Sequence, residues 1–116
     1  MAFKKFVDYF YHYRVHLGFG ESIESLNKYC KKINPDLEIN NLDKLKDAGG
    51  CMFEIDPQNF IIWTADISPK LSLLAHECFH LTHKILSIKG MVFCNESEEA
   101  FAYLHQYLFE KIFELS

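Results

Sequence analysis

Ser68-Pro69-Lys70-Leu71-Ser72-Leu73-Leu74-Ala75-His76-Glu77-Cys78-Phe79-His80-Leu81 continues without a helix breaker to Gly90, and the reading of this stretch decides the fold. A serine followed by proline is a strong helix start: the hydroxyl caps free backbone N–H groups, and the ring pre-sets the first helical φ. Gly90 is the matching stop. Leu71, Leu74, Ala75, Cys78, Leu81, Ile85 and Ile88 form a broad apolar face, so the helix is expected to be central and covered on most sides. On such a helix His76 and His80 point the same way, about 6 Å apart along the axis, and two imidazoles so placed can share one zinc ion. Glu77 projects about 100° around the axis, beside the ion rather than onto it. That is where a base must stand to take a proton from a metal-activated water.

Downstream, a short connection over Met91 to Cys94 leads to a second helix. Asn95, with Glu98 three residues on, reads as its capping box, and Phe101, Leu104, Leu108, Ile112 and Leu115 as its buried face. A catalytic zinc takes three protein ligands and keeps one position open. The carboxylates at the start of this last helix, Glu96, Glu98 and Glu99, are where the third ligand is sought. Glu99 is 19 positions beyond His80, enough chain for the first helix to finish, turn and return antiparallel. Two neutral imidazoles and one carboxylate would then hold the ion.

The segment His76-Glu77-X-X-His80, with Glu98-Glu99-Ala100-Phe101-Ala102-Tyr103 downstream, resembles the gluzincin-type zinc metallopeptidases. It looks most like the very small members encoded by phages and mobile elements, and more distantly the ImmA/IrrE-type proteases. The likeness covers about residues 50 to 110. It implies a zincin-like domain that hydrolyses peptide bonds, with His76, His80 and Glu99 as zinc ligands and Glu77 as general base. Glu99 is preferred to Glu98 and Glu96 because the ligand glutamate in such proteins is followed by small residues, here Ala100 and Ala102. Larger gluzincins often carry an aspartate four residues after that glutamate; here the position is Tyr103. Tyr103 is either a catalytic hydroxyl that holds a ligand or polarises the substrate carbonyl, or an ordinary half-buried side chain. His83 and His105 read as flanking residues, Cys78 as core, and Cys94 as a thiolate that would close the site if it took the fourth position.

Upstream of the motif, the apolar runs Cys51 to Ile55 and Phe60 to Ala65 flank Asp56-Pro57-Gln58-Asn59, a turn in which proline pre-sets one dihedral and aspartate bonds the turn backbone. This predicts a β-hairpin, along whose exposed edge an extended substrate could pair. Residues 36–49 suggest a short strand at Leu37 to Ile39 and a short helix at Leu42 to Ala48, closed by Gly49-Gly50. Ser22 to Ile33, ended by Asn34-Pro35, predicts a helix with Ile23, Leu26, Cys30 and Ile33 buried and Lys28, Lys31 and Lys32 on a solvated face. Phe3, Phe6, Val7, Phe10, Arg14 and Leu17 share one face at helical spacing and predict another helix over residues 2–17. His12 and His16 would form a second i, i+4 pair there, but with no acid beside them they are a weak candidate for metal.

The 116 residues suit one domain, 1–116, and their 49% hydrophobic and 16% aromatic content describes a packed interior. The net charge of −4 gives no footprint for nucleic acid. Residues 1–50 carry eight Lys/Arg against seven Asp/Glu, and residues 51–116 carry four against nine, so the acid excess lies with the candidate site. Four cysteines without a Cys-X-X-Cys pair favour a reducing, cytoplasmic setting. No apolar run approaches the roughly 20 residues of a membrane span, and the N-terminus reads as part of the fold rather than a signal peptide.

The expectation is therefore an α+β, zincin-like domain: two N-terminal helices, a small sheet containing the hairpin, the His-Glu-X-X-His helix and a C-terminal helix. Its cofactor would be Zn2+ and its partner a peptide or protein substrate. The alternative is a catalytically silent, zinc-containing binding or inhibitor protein of phage or mobile-element origin.

Overall fold

The N-terminal segment expected as a helix is instead a β-hairpin. In the computed structural model, which describes residues 3–38 and 49–116, β1 spans Phe3–Asp8 and β2 spans Tyr13–Phe19, paired antiparallel from Phe3↔Gly18 to Asp8↔Tyr13. The helical spacing of Phe3, Phe6, Val7 and Phe10 was outweighed by two features. Tyr13, Val15, Leu17 and Phe19 alternate along one strand face, and all four are buried. Asp8 makes the turn without glycine or proline: its Oδ1 accepts from Phe10 N at 2.9 Å, and its carbonyl accepts from His12 N at 2.9 Å, with His12 in the left-handed region at φ 58°. Tyr9 and Phe10 therefore stand exposed at the tip.

The remaining elements are α1 (Ile23–Ile33), β3 (Gly50–Asp56), β4 (Asn59–Thr64), α2 (Leu71–Ile88) and α3 (Glu98–Leu115). The described residues thus form an α+β structure with one four-stranded mixed sheet, ordered β1-β2-β4-β3, and three helices. Its contacts divide the chain into two compact units, Met1–Pro69 and Lys70–Ser116.

In the first unit, β4 pairs parallel with β2 and antiparallel with β3, and the two central strands β2 and β4 are buried on both faces. The β3–β4 hairpin forms where expected: Asp56 Oδ1 accepts from Gln58 N at 2.8 Å and from Asn59 Nδ2 at 2.9 Å. Helix α1 starts at Ser22, whose Oγ accepts from Ser25 N at 3.1 Å, and stops at Asn34, whose Nδ2 donates to Ile55 O at 2.8 Å. Its Ile23, Leu26 and Cys30 pack with Ile55, Ile61 and Trp63 of the sheet into one cluster. Each fully buried aliphatic side chain there contributes about 1.5–3 kcal/mol of transfer free energy. Trp63 Nε1 donates to Glu21 O at 2.7 Å, which ties the entry of α1 to β4. Leu37 and Glu38 lie in irregular chain, and Ile39 and the short helix expected at Leu42 to Ala48 fall outside the described residues.

In the second unit, α2 begins at Leu71 after Lys70, which makes no side-chain cap. Ser68 is not the cap: its N–H donates to Asp66 Oδ1 at 2.9 Å, in the turn before the helix. Gly90, at φ 85°, ends it as expected. Leu71 and Ile88 are exposed rather than buried, so the apolar stripe is narrower than the sequence pattern implies. The expected Asn95–Glu98 box is also replaced: Ser97 precedes α3, and its Oγ accepts from Cys94 N at 3.0 Å and donates to Val92 O. Phe101, Leu104, Leu108 and Ile112 form the buried face of α3. Among the described residues no helix is long and apolar enough to cross a membrane.

Candidate metal centre

Helix α2 carries His76 and His80 on an exposed face, one turn apart. Their Nε2 atoms stand 3.2 Å from one another, and the rings meet edge to face at 80° with centroids 4.7 Å apart. With one ring donating and the other accepting, this contact is a hydrogen bond between imidazoles. It is also the spacing that one ion requires. Zinc–nitrogen bonds of about 2.05 Å at a tetrahedral angle put two ligand nitrogens about 3.3 Å apart. The two imidazole nitrogens are thus separated as two ligands of one zinc would be.

Glu77 sits one position round the helix, and its side chain is 8% exposed, against 64% for that of His76. Its Oε2 lies 4.0 Å from His76 Nε2. The carboxylate is thus shielded from water, next to an imidazole edge. Cys78, the next residue, is core as expected: burial pushes its thiol up to about 12, against a smaller opposing hydrogen bond from Thr82. Cys78 is fully buried and packs as a neutral thiol in the core.

The other expected members are not gathered round the pair. Glu99 is exposed in the first turn of α3, and no group of three or more His, Cys, Asp or Glu side chains among the described residues is arranged to hold a metal. Tyr103, on the turn of α3 after Glu99, is 68% exposed rather than half-buried. Cys94 is exposed, with Sγ 3.5 Å from Ser97 Oγ. The neighbouring Glu96 carboxyl is held below its ordinary range, first by a hydrogen bond from Cys94.

His12 and His16 do not form a pair. His12 is in the β1–β2 turn, and His16 is buried in β2 between the Tyr29 hydroxyl, 2.7 Å from Nδ1, and Asn59 Oδ1, 2.9 Å from Nε2. Burial pushes the His16 pKa below its ordinary 6.5, opposed by the bond to Asn59 and assisted by Lys5 and Arg14.

The surroundings of His83 and His105 are richer than flanking positions require. His83 packs on Phe79 at 4.4 Å and on Phe101 at 4.8 Å between ring centroids, and His105 meets Phe79 at 6.1 Å. A signal was present in the sequence: Phe79 with His83, and Phe101 with His105, are both aromatic–imidazole pairs at i, i+4.

Compared with known protein families, curated proteins and solved structures, the chain matches none.

Proposed function

We propose that the chain is a zinc-dependent metallopeptidase of gluzincin type. The observation that carries the reading is the 3.2 Å separation of His76 Nε2 and His80 Nε2, the spacing of two nitrogens on one tetrahedral zinc. His76 and His80 would hold the ion, with Glu99 as the carboxylate ligand that the motif implies. Bound there, zinc would supply Lewis acidity, polarising the scissile carbonyl and acidifying a water. The protein's own part falls to Glu77. Its Oε2, 4.0 Å from His76 and screened from bulk solvent, takes the proton from the attacking water and passes it to the leaving amine. The exposed Tyr103 hydroxyl would bond the substrate carbonyl.

Glu77→Gln tests this directly, because the amide keeps the volume and loses the base. Metal analysis of the variant should still find one zinc per chain, while cleavage of an unfolded protein substrate, followed by mass spectrometry, falls by about 10²- to 10⁴-fold. Cleavage at the wild-type rate would sink the mechanism.

The open setting of the pair, with His76 largely in water, favours one other reading: a zinc-containing binding or inhibitor protein without turnover. Its signature is zinc content with no cleavage by the wild-type chain and full biological effect in Glu77→Gln.

A further inference from the structure

Helices α2 and α3 border a half-open pocket of about 190 Å³ beside the candidate metal centre, and nothing in the proposed hydrolysis uses it. A dry cavity of about 150 Å³ takes a benzene ring, so this one admits a group the size of a single side chain. Its walls are aromatic. Phe79 and His83 contribute from α2, Phe101 from α3, and Phe93 from the connection between them. Phe93 and Phe101 meet edge to face at 84°, with centroids 4.9 Å apart, so two differently oriented π-faces border one space. Ala102 also lines it.

The charge of the lining selects the ligand. Glu98 brings a carboxylate to the lining, and among the described residues no lysine or arginine lines the pocket with it. His105 also lines the pocket, with its Nε2 buried and without a hydrogen-bond partner among the described residues. The Thr82 hydroxyl is already committed to Cys78 O at 2.9 Å.

We propose that this pocket binds a primary ammonium group on an alkyl chain, as carried by a lysine side chain of a peptide or protein. An apolar ligand would desolvate Glu98 without compensation. An anion would face the carboxylate and the negative faces of the phenyl rings. An alkylammonium suits the lining: its methylenes lie along the rings, and its charge meets the π-faces and Glu98. Phe79 and Phe93, 52% and 54% exposed, are then the rim of a binding site rather than stray apolar surface. The site needs no metal and stands apart from the hydrolysis reading.

The test is an NMR titration of the full chain with Nα-acetyl-lysine methylamide, following the imidazole ring protons of His83 and His105. The uncharged norleucine analogue, of nearly the same shape, is the control. Saturable shifts of both histidines by the lysine amide are expected, with the norleucine amide at least about tenfold weaker. Glu98→Gln should weaken lysine binding by about tenfold, and Phe93→Leu by about fivefold. Both positions are exposed, so neither variant threatens the fold. Glu77→Gln should bind the lysine amide unchanged, so loss of hydrolysis and loss of this site are read separately. Norleucine binding as tight as lysine, indifference to Glu98→Gln, or no shift at either histidine would each overturn the proposal.

Discussion

Asn59 Oδ1 accepts a hydrogen bond from His16 Nε2 at 2.9 Å, a link between the two central parallel strands of the sheet across 43 residues of sequence. The amide orientation is set by Asp56, whose two carboxylate oxygens take Asn59 Nδ2 at 2.9 and 3.1 Å. Asn59 therefore presents oxygen to the imidazole, the proton of neutral His16 resides on Nε2, and Nδ1 accepts from the Tyr29 hydroxyl. Because burial lowers the folded-state pKa of His16, the unfolded chain binds its proton first as pH falls. Stability is then unaffected by this group above about pH 6.5, is lost as pH drops below it, and levels off once the folded form is protonated too. The thermal midpoint, read from the emission of the single tryptophan Trp63, should fall on acidification in that window. His16→Gln should remove that component, and identical pH profiles for the two proteins would contradict it. Asn59→Leu, which strands the Nε2 proton, should cost about 1–3 kcal/mol.

The His76–His80 spacing predicts a stability increment from metal. Zinc at about 100 times its dissociation constant adds about 2.7 kcal/mol to a protein that binds it only when folded. Chelation should therefore lower the helical melting transition of the wild type and leave His76→Ala and His80→Ala unmoved. Each of those variants should lose more than about 100-fold in zinc affinity, since even outer-shell changes cost about 10- to 100-fold. Glu99→Gln separates the carboxylates: it should weaken zinc by at least about tenfold, whereas Glu96→Gln and Glu98→Gln should not. Equal affinity in all three variants would remove Glu99 from the ligand set.

Elements marked by local chemistry were legible in the sequence. Asp56-Pro57 fixed the β3–β4 hairpin, Ser22 and Asn34-Pro35 bounded α1, and Gly90 closed α2, because each acts on its own few residues of backbone. The β1–β2 hairpin was not legible, for two reasons. Its turn is made by Asp8 without the usual glycine or proline signal. Strand β2 is buried on both faces, so His16 and Gly18 replace the polar alternation that identifies a half-exposed strand. The His76–His80 pair could be read because i, i+4 geometry is internal to one helix. The aromatic pocket could not, because it depends on the rotation of α2 against α3, which the intrahelical spacing of Phe79, His83, Phe101 and His105 leaves open.

The cysteines supply a reporter for each unit. Burial pushes the thiols of Cys30 and Cys78 up to about 12 from an ordinary 9.0, a thiolate fraction about a thousandfold below that of a free thiol. Cys94 is exposed and Cys51 half-buried. Timed alkylation with peptide mapping should label Cys94 first and Cys51 next. Cys30 and Cys78 should be labelled only as their own units open, Cys30 for Met1–Pro69 and Cys78 for Lys70–Ser116. If zinc sits on α2, chelation should speed the labelling of Cys78. Labelling of Cys78 as fast as Cys94 in the native protein would refute its place in the core.

Gly20 and Gly90 both have positive φ, +77° and +85°, yet they should respond differently to substitution. A Cβ at position 90 would meet nothing within 4 Å, so the cost of a side chain there is the left-handed conformation alone. That is about 1–2 kcal/mol for alanine and less for asparagine, which tolerates the conformation. At Gly20 a Cβ would stand 2.8 Å from Ile67 Cβ and 2.9 Å from Ile67 Cα. The Gly20 N–H is also held by Thr64 O at 2.9 Å, so the backbone has little freedom to withdraw. Conformation and overpacking then add, to about 2–5 kcal/mol for Gly20→Ala. Asparagine discriminates between the two causes: it should rescue position 90 relative to alanine and fail to rescue position 20, where contact with Ile67 dominates. Chemical denaturation followed by Trp63 emission for the Gly20 variants, and by far-ultraviolet circular dichroism for the Gly90 variants, measures both. Rescue at position 20 would mean that Ile67 yields and that the corner between Gly20 and Ile67 is looser than its contacts imply.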